Sequence, residues 1–593
     1  MRAYLALSTG GPTRIPPEVL ARIREVAPRC VPVPAHDLRA EEWVSDDGAT
    51  ALLGWTNEPA HPLLPPLITE HAGRVLGHCG YLGDPGDDRR LLESTDLAGT
   101  AEGLGGCFSL FRAGPGGFEA VTSITRVCPV YHATSGGLHL AGSRALLVHL
   151  ATNRTPVLDV PALQPMVRHG FFATDETPFA GVRALPNAAS LTVEADGIVT
   201  IIERSFPEQA PPPRTAKEAR ALLARPAEAL LAAVEPLRRH SDPVRLALSG
   251  GRDSRLLAAV LHAAGVPFHT RTHGFPDHPD PILAARVAGI LGVEHRFEPT
   301  APTAARDSIE VEHPLVRAHH VIRMCEGMTS AYESVDRHEP YTLAPRTSGS
   351  GGETLRGGFL YDQDDISPKA LQRRVRSIFL SAEGFATPEA NDRARLHHER
   401  WASEAGPDAL DKLYLFYRTG RWIVGSHTAT LMNSTYYHPF FDNRVVREML
   451  TLPALWRHSE EPFHGLISLL APKLRDVPTE GKRWRFERTG ARRLSEFRAR
   501  RNRAPLVPTG RTSSFNWRKS YDPGFLAILR DQVMNGPREL FDIVNETKAK
   551  EHFASVPTSW SNQIWHIYTL SVLLSNDWQS TPPDLPRVRI PLP

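Results

Sequence analysis

Between Val244 and Gly292 the chain writes a short apolar strand, two glycines, an amphipathic helix, a second strand and a second amphipathic helix, with few residues between them. VRLALSGG reads as a buried strand. DSRLLAAVLHAAG reads as a helix, with Asp253 and Ser254 as capping residues, an apolar stripe on Leu256, Leu257, Val260 and Leu261, and a stop at Gly265. VPFHTRTHG reads as another strand, and ILAARVAGILG as a helix closed by Gly292. That rhythm predicts a parallel sheet covered on both faces. Upstream, TAKEARALLARPAEALLAAVEPLRRH has helical spacing that is expected to break at Pro226.

The junction itself, LALSGGRDSR over residues 246–255, is built to bind an anion. Leu248 ends the strand, Gly250 and Gly251 let the backbone approach phosphate oxygens, and the helix start offers free amides and a favourable dipole. Ser249 and Ser254 add hydroxyls, Arg252 adds a cation, and Asp253 has the chemistry to hold a Mg²⁺ that bridges phosphates. GxxxxGK[ST] is absent, so this is not a Walker loop. A second glycine cluster, SGSGGETLRGGFL at 348–360, offers Ser348, Gly349, Ser350, Gly351, Gly352 and the carboxylate Glu353.

SGGRDS resembles the SGGxDS signature of the PP-loop ATP pyrophosphatases, which include asparagine synthetases, β-lactam synthetases and lasso peptide cyclases. The second cluster resembles the SGxGxDExxGGY loop of asparagine synthetases, with Glu353 where that family has aspartate and Gly357 and Gly358 as its double glycine. The resemblance implies ATP and Mg²⁺ as cofactors, with Asp253 and Glu353 as the metal pair. DPILAARVAGILGVEH from Asp280 resembles the family text after the strand lining the adenine pocket, which places Asp280, and Thr272 on that strand, near ATP; a plain helix N-cap is the other reading of Asp280. YYHPFFDNRVVREMLTLP resembles the family's RxPFLDxxxVExALxLP, where Asp442 is either near the site or wholly structural. The likeness touches most of residues 240–490.

The first 200 residues read as strands and hairpins, in CFSLF, FEAVTSI, LHLAG and ASLTVEADGIVTIIE. Arg126, Pro129, Tyr131, Ser143 and Ala145–Leu146 resemble marks of the glutaminase half of asparagine synthetases. The resemblance implies an N-terminal-nucleophile-type αββα sandwich followed by the PP-loop α/β domain. FPEQAPPP cannot sustain a helix or central strand, so the expected division is 1–205 (glutaminase-like), 206–215 (linker) and 216–593 (synthetase). A working glutaminase needs cysteine directly after the initiator methionine. Position 2 is Arg2, so the amine is expected to come from the substrate.

Relatives carry a lysine that stabilises adenylation. Lys473, Lys482 and Arg483 are the alternatives in EEPFHGLISLLAPKLRDVPTEGKRWRFE, where the aligned spot holds His464 and Gly465; the GKRW string resembles lasso cyclases and favours Lys482. Arg356 joins it as a catalytic candidate. Arg252, Arg255 and Arg356 are placed to hold peptide carboxylates or phosphate. The implied function is a lasso-type macrolactam synthetase acting on a leader-free linear core peptide, partnered by a leader peptidase and a leader-binding protein. The alternatives are a β-lactam-forming or other small-molecule amide synthetase, an ammonia-dependent asparagine-synthetase relative, and a non-catalytic scaffold, against which the intact loops argue.

Composition narrows the rest. The formal charge of +2 gives no field for nucleic acid, and no apolar run reaches the roughly 18 residues of a membrane span. Five widely spaced cysteines without a Cys-x-x-Cys pair fit a reducing cytoplasm. The 26 histidines, including His319/His320 and His397/His398, lack HExxH spacing, and most are expected at the surface.

Overall fold

The computed structural model describes residues 1–299, 307–488, 500–507, 516–554 and 561–591. The front half contains two six-stranded antiparallel sheets laid face to face. The period of two in their strands explains the layering. In Arg2–Ser8, Tyr4 and Ala6 point into the sandwich, where Tyr4 stacks on Phe111 at 5.6 Å, while Ala3, Leu5 and Leu7 pack under the helix Pro17–Cys30. In Gly106–Gly114, Phe111 faces inward, and Phe108 and Leu110 pack under the helices Asp87–Glu93 and Leu97–Glu102. The result is helix, sheet, sheet, helix.

Residues 204–215 cross over without helix or strand. Beyond them lies a five-stranded parallel sheet, in spatial order His295–Pro299, Phe268–Gly274, Val244–Ala247, Thr342–Ser348, Ser434–Tyr437. Its helices share a core with it, among them Ala216–Ala233, Arg252–Ala263, Pro279–Leu291 and Glu461–Leu470. From the central strand the chain steps first to one side and later to the other. The carboxyl end of Val244–Ala247 is therefore a topological switch point, where open α/β sheets bind ligands.

Three expectations need correction. The helix Ala216–Ala233 runs unbroken through Pro226, whose buried ring packs in the sheet core; one lost amide bond is outweighed by the apolar face around it. Neither Asp253 nor Ser254 caps its helix, which runs Arg252–Ala263 with Gly251 at the N-cap and no side-chain cap. Histidines are mostly not at the surface: only His36, His61, His262 and His273 are exposed. Buried imidazoles are tolerated where backbone groups satisfy the ring, as when His149 accepts the Val157 amide at 3.0 Å and lies 3.1 Å from the Ala180 carbonyl.

All five cysteines are free and buried. Among the described residues no helix is long and apolar enough to cross a membrane. The helix Ser561–Ser575 packs back onto Gln164–His169, so the hydrophobic core of the front half continues into the C-terminal helices.

Candidate active site

The two glycine loops follow adjacent parallel strands, Val244–Ala247 and Thr342–Ser348, and interlock. A Cβ on Gly349 would lie 2.5 Å from the Ser254 nitrogen, and one on Gly352 would lie 2.2 Å from Asp253 Cγ. Only glycine permits this approach. Gly351 and Gly357 take φ of +96°, which turns the second loop back on itself. With no side-chain cap on Arg252–Ala263, the amides of its first turn stay free for an anion.

Side chains brace the first loop from within. The Ser249 amide donates to Ser254 Oγ at 3.0 Å, the Gly251 amide to Ser249 Oγ at 3.2 Å, and the two hydroxyls meet at 3.1 Å. Thr272 Oγ1 donates to the Leu248 carbonyl. Asp280 is not the N-cap of its helix, which is His278; its carboxylate accepts the Gly250 amide at 2.8 Å. In the second loop Ser350 donates its amide to Ser348 Oγ at 3.3 Å, and the two hydroxyls lie 3.0 Å apart.

Asp253 is half-buried, with Oδ2 accepting Arg356 Nη2 at 2.7 Å and Oδ1 buried without a partner among the described residues. Burial pushes its carboxyl up to about 6; Arg356 opposes that, and nearby Glu353 adds to it. An orphaned carboxylate oxygen with a second carboxylate in its field fits a hard divalent cation between Asp253 and Glu353.

The arginines do work that the sequence does not announce. Arg255 is buried and donates to the carbonyls of Val477 at 2.9 Å, Pro478 at 2.6 Å and Gly250 at 3.2 Å, stapling the loop to the segment 477–483. Its guanidinium is thus engaged by backbone carbonyls. Arg252 donates to the carbonyls of Lys482 at 2.8 Å and Arg483 at 3.0 Å and lies over Trp484 at 4.8 Å. Between Arg252 and Arg356 stands Glu460, at 3.3 and 3.1 Å, a buried carboxylate on a residue with φ of +64°. Sequence reasoning missed it, as it missed Glu480.

Glu480 lies 3.7 Å from His278 and shares a cluster with Asp280. Burial and the neighbouring Asp280 push its carboxyl up to about 7. Lys482 is brought to the loop through its backbone; its side chain is exposed. His464 is bound to the Arg475 carbonyl at 3.2 Å, and burial lowers its imidazole to about 4.

Glu353 also lines a cavity of about 350 Å³ beside the second loop, walled by Phe359, Tyr361, Tyr414 and Tyr417, with Arg374, Arg418 and His169 at its edge. Its far wall includes the π-helical stretch Tyr414–Ile423, a form frequent at functional sites. In the front half, Arg2 is paired with Glu58 at 2.8 Å and donates to the Pro65 and Pro66 carbonyls, so position 2 carries a structural cation.

Residues 226–463, spanning both glycine loops and the crevice between them, match the asparagine synthase family. The segment is asparagine-synthetase-like. The chain is accordingly an ATP-dependent carbon–nitrogen ligase. Two solved structures resemble about three fifths of the chain, and only loosely. A glutamine phosphoribosylpyrophosphate amidotransferase from B. subtilis complexed with ADP and GMP is 11% identical, over 60% of this chain and 77% of that one, with a TM-score of 0.24. A structure described as the allosteric regulatory enzyme of purine biosynthesis is 9% identical, over 63% and 77%, with a TM-score of 0.24. Superpositions this loose carry no argument about the synthetase-like segment. No curated protein matches the chain significantly.

Proposed function

We propose that the chain closes a macrolactam of the lasso peptide type. A side-chain carboxylate of an Asp or Glu in a leader-free linear core peptide attacks the α-phosphorus of ATP, and the bond to the β-phosphate breaks to release pyrophosphate. The peptide's own N-terminal amine then attacks the acyl carbon and loses its proton, and AMP leaves. The observation that carries this reading is the aromatic and basic cavity adjoining Glu353, next to the interlocked loops; it is shaped for part of a peptide and edged with cations for its carboxylates.

The free amides of Arg252–Ala263 and the backbone of the second loop cradle the departing pyrophosphate, and Arg356 holds Asp253 in place. Bound between Asp253 and Glu353, Mg²⁺ would neutralise charge on the phosphates. Lys482 is the candidate for the cation at the α-phosphate. With Arg2 where a glutaminase has its nucleophile, an amine carried by the substrate is the consistent source of nitrogen. A leader peptidase and a leader-binding protein would supply the trimmed peptide.

Incubation with ATP, Mg²⁺ and a linear core peptide tests the proposal. The expected product is lighter by one water and accompanied by AMP. Adenylation of free aspartate or of a β-amino acid instead, with the peptide inert, overturns it.

A further inference from the structure

Away from the ATP crevice, where the front sandwich meets the synthetase-like domain, three side chains remote in sequence converge. Cys107 lies on the strand Gly106–Gly114, Cys128 in the turn after Arg126, and His427 on the helix Val424–Asn433. Their Sγ, Sγ and imidazole nitrogen atoms all lie within 4.8 Å of one another, and all three residues are buried. Cys128 Sγ and His427 Nε2 are 3.7 Å apart. For a tetrahedral ion with metal–sulfur bonds of about 2.3 Å and metal–nitrogen bonds of about 2.0–2.1 Å, the sulfur–nitrogen edge is about 3.6 Å.

A second observation points the same way. His438, 6% exposed, has its ring 4.7 Å from that of His427, and among the described residues neither of its nitrogens has a partner, nor has His427 Nδ1. Unsatisfied buried imidazole nitrogens are costly, and neutral thiols are poor partners for them. The wall facing the cysteines is kept open by Gly80, with φ of +76°, where a Cβ would lie 2.8 Å from Cys128 Sγ and 1.9 Å from the Cys107 carbonyl oxygen.

We propose that Cys107, Cys128 and His427 bind one zinc-class divalent cation through Sγ, Sγ and Nε2, so that the ion clamps the front sandwich to the synthetase-like domain. Two thiolates and an imidazole select a borderline-soft ion over the hard cation that suits Asp253 and Glu353. Binding displaces the two thiol protons to solvent, and the two thiolate charges balance the ion. The clamp lies outside the residues assigned to adenylation, so it stands or falls independently of the macrolactam reading.

The test is the metal content of the full chain purified in reducing, chelator-free buffer, followed by Co²⁺ titration of the chelated protein. The expected results are about one zinc per chain and a thiolate-to-cobalt absorption that saturates at about one equivalent. Both should vanish in the Cys107→Ser/Cys128→Ser double variant. If that variant does not fold, X-ray absorption at the metal edge of the wild-type chain should give a first shell containing two sulfurs. The proposal is overturned by absence of both zinc and the cobalt band, by a first shell without sulfur, or by a Cys107–Cys128 disulfide in the unreduced, denatured chain.

Discussion

The α-carbon of Gly352 sits so close to the carboxyl group of Asp253 that an added methyl would overlap it, at 2.2 Å from Asp253 Cγ. One loop therefore sets the position of the acid on the other. Gly352→Ala should displace the Asp253 carboxylate and lower AMP formation by about 100-fold, because misplacement by about an ångström is enough. Pyrophosphate release measures this, with circular dichroism confirming a retained fold.

Asp253→Ala should abolish AMP formation, a loss of at least about 100-fold; if AMP still forms, Asp253 does not hold the metal. The pH profile carries the finer test. In the metal-free chain burial pushes the carboxyl up to about 6, so protons compete with the metal and the Mg²⁺ concentration for half-maximal rate should rise as pH drops through about 6. Arg356 pulls in the opposite direction to burial. Arg356→Met should therefore move the acid limb to higher pH.

Glu480, with its carboxyl pushed up to about 7 beside Asp280, is neutral on the acid side and anionic on the alkaline side of that value. Ionisation adds negative charge next to the phosphate loop. The KM for ATP should rise as pH passes 7 in the native chain and stay flat in Glu480→Gln, which steady-state kinetics at several pH values will read.

Glu460→Ala leaves the buried Arg356 and the partly buried Arg252 without their shared carboxylate, and breaking a buried pair costs about 3–5 kcal/mol. A lowered thermal midpoint together with loss of AMP formation is expected. Arg225→Ala, which breaks only an exposed pair with Glu448, should change the midpoint little.

Lys482→Ala should lower kcat for AMP formation while leaving the KM for ATP near its native value, since the side chain is assigned to the transition state alone. Lys473→Ala should be silent. If the two variants behave alike, the assignment of Lys482 fails.

The parallel sheet was legible because its signals are local. Val244–Ala247, Phe268–Gly274 and the helices after them each show in runs of four to thirteen residues, and the glycines at 250, 251, 349 and 351 mark both loops. What escaped depends on partners far along the chain. Arg255 reads like a ligand-binding cation, yet its guanidinium reaches carbonyls more than 220 residues away. Glu460 looks like any acid before a helix, and nothing in EEPFHG signals its left-handed backbone. Cys128 and His427 are separated by 299 positions, beyond the reach of any spacing rule.

Asp442 caps the helix Asn443–Leu450 with one carboxylate oxygen and accepts the Gly106 amide with the other, while Asn443 donates to the carbonyls of Ala101, Glu102 and Leu104. The strand Gly106–Gly114 of the front sandwich is thus the anchorage of a helix packed against the second glycine loop. A synthetase-like segment cut free of the first 200 residues would leave Asp442 and Asn443 without those partners, so the front sandwich belongs to the foundation on which the crevice is built.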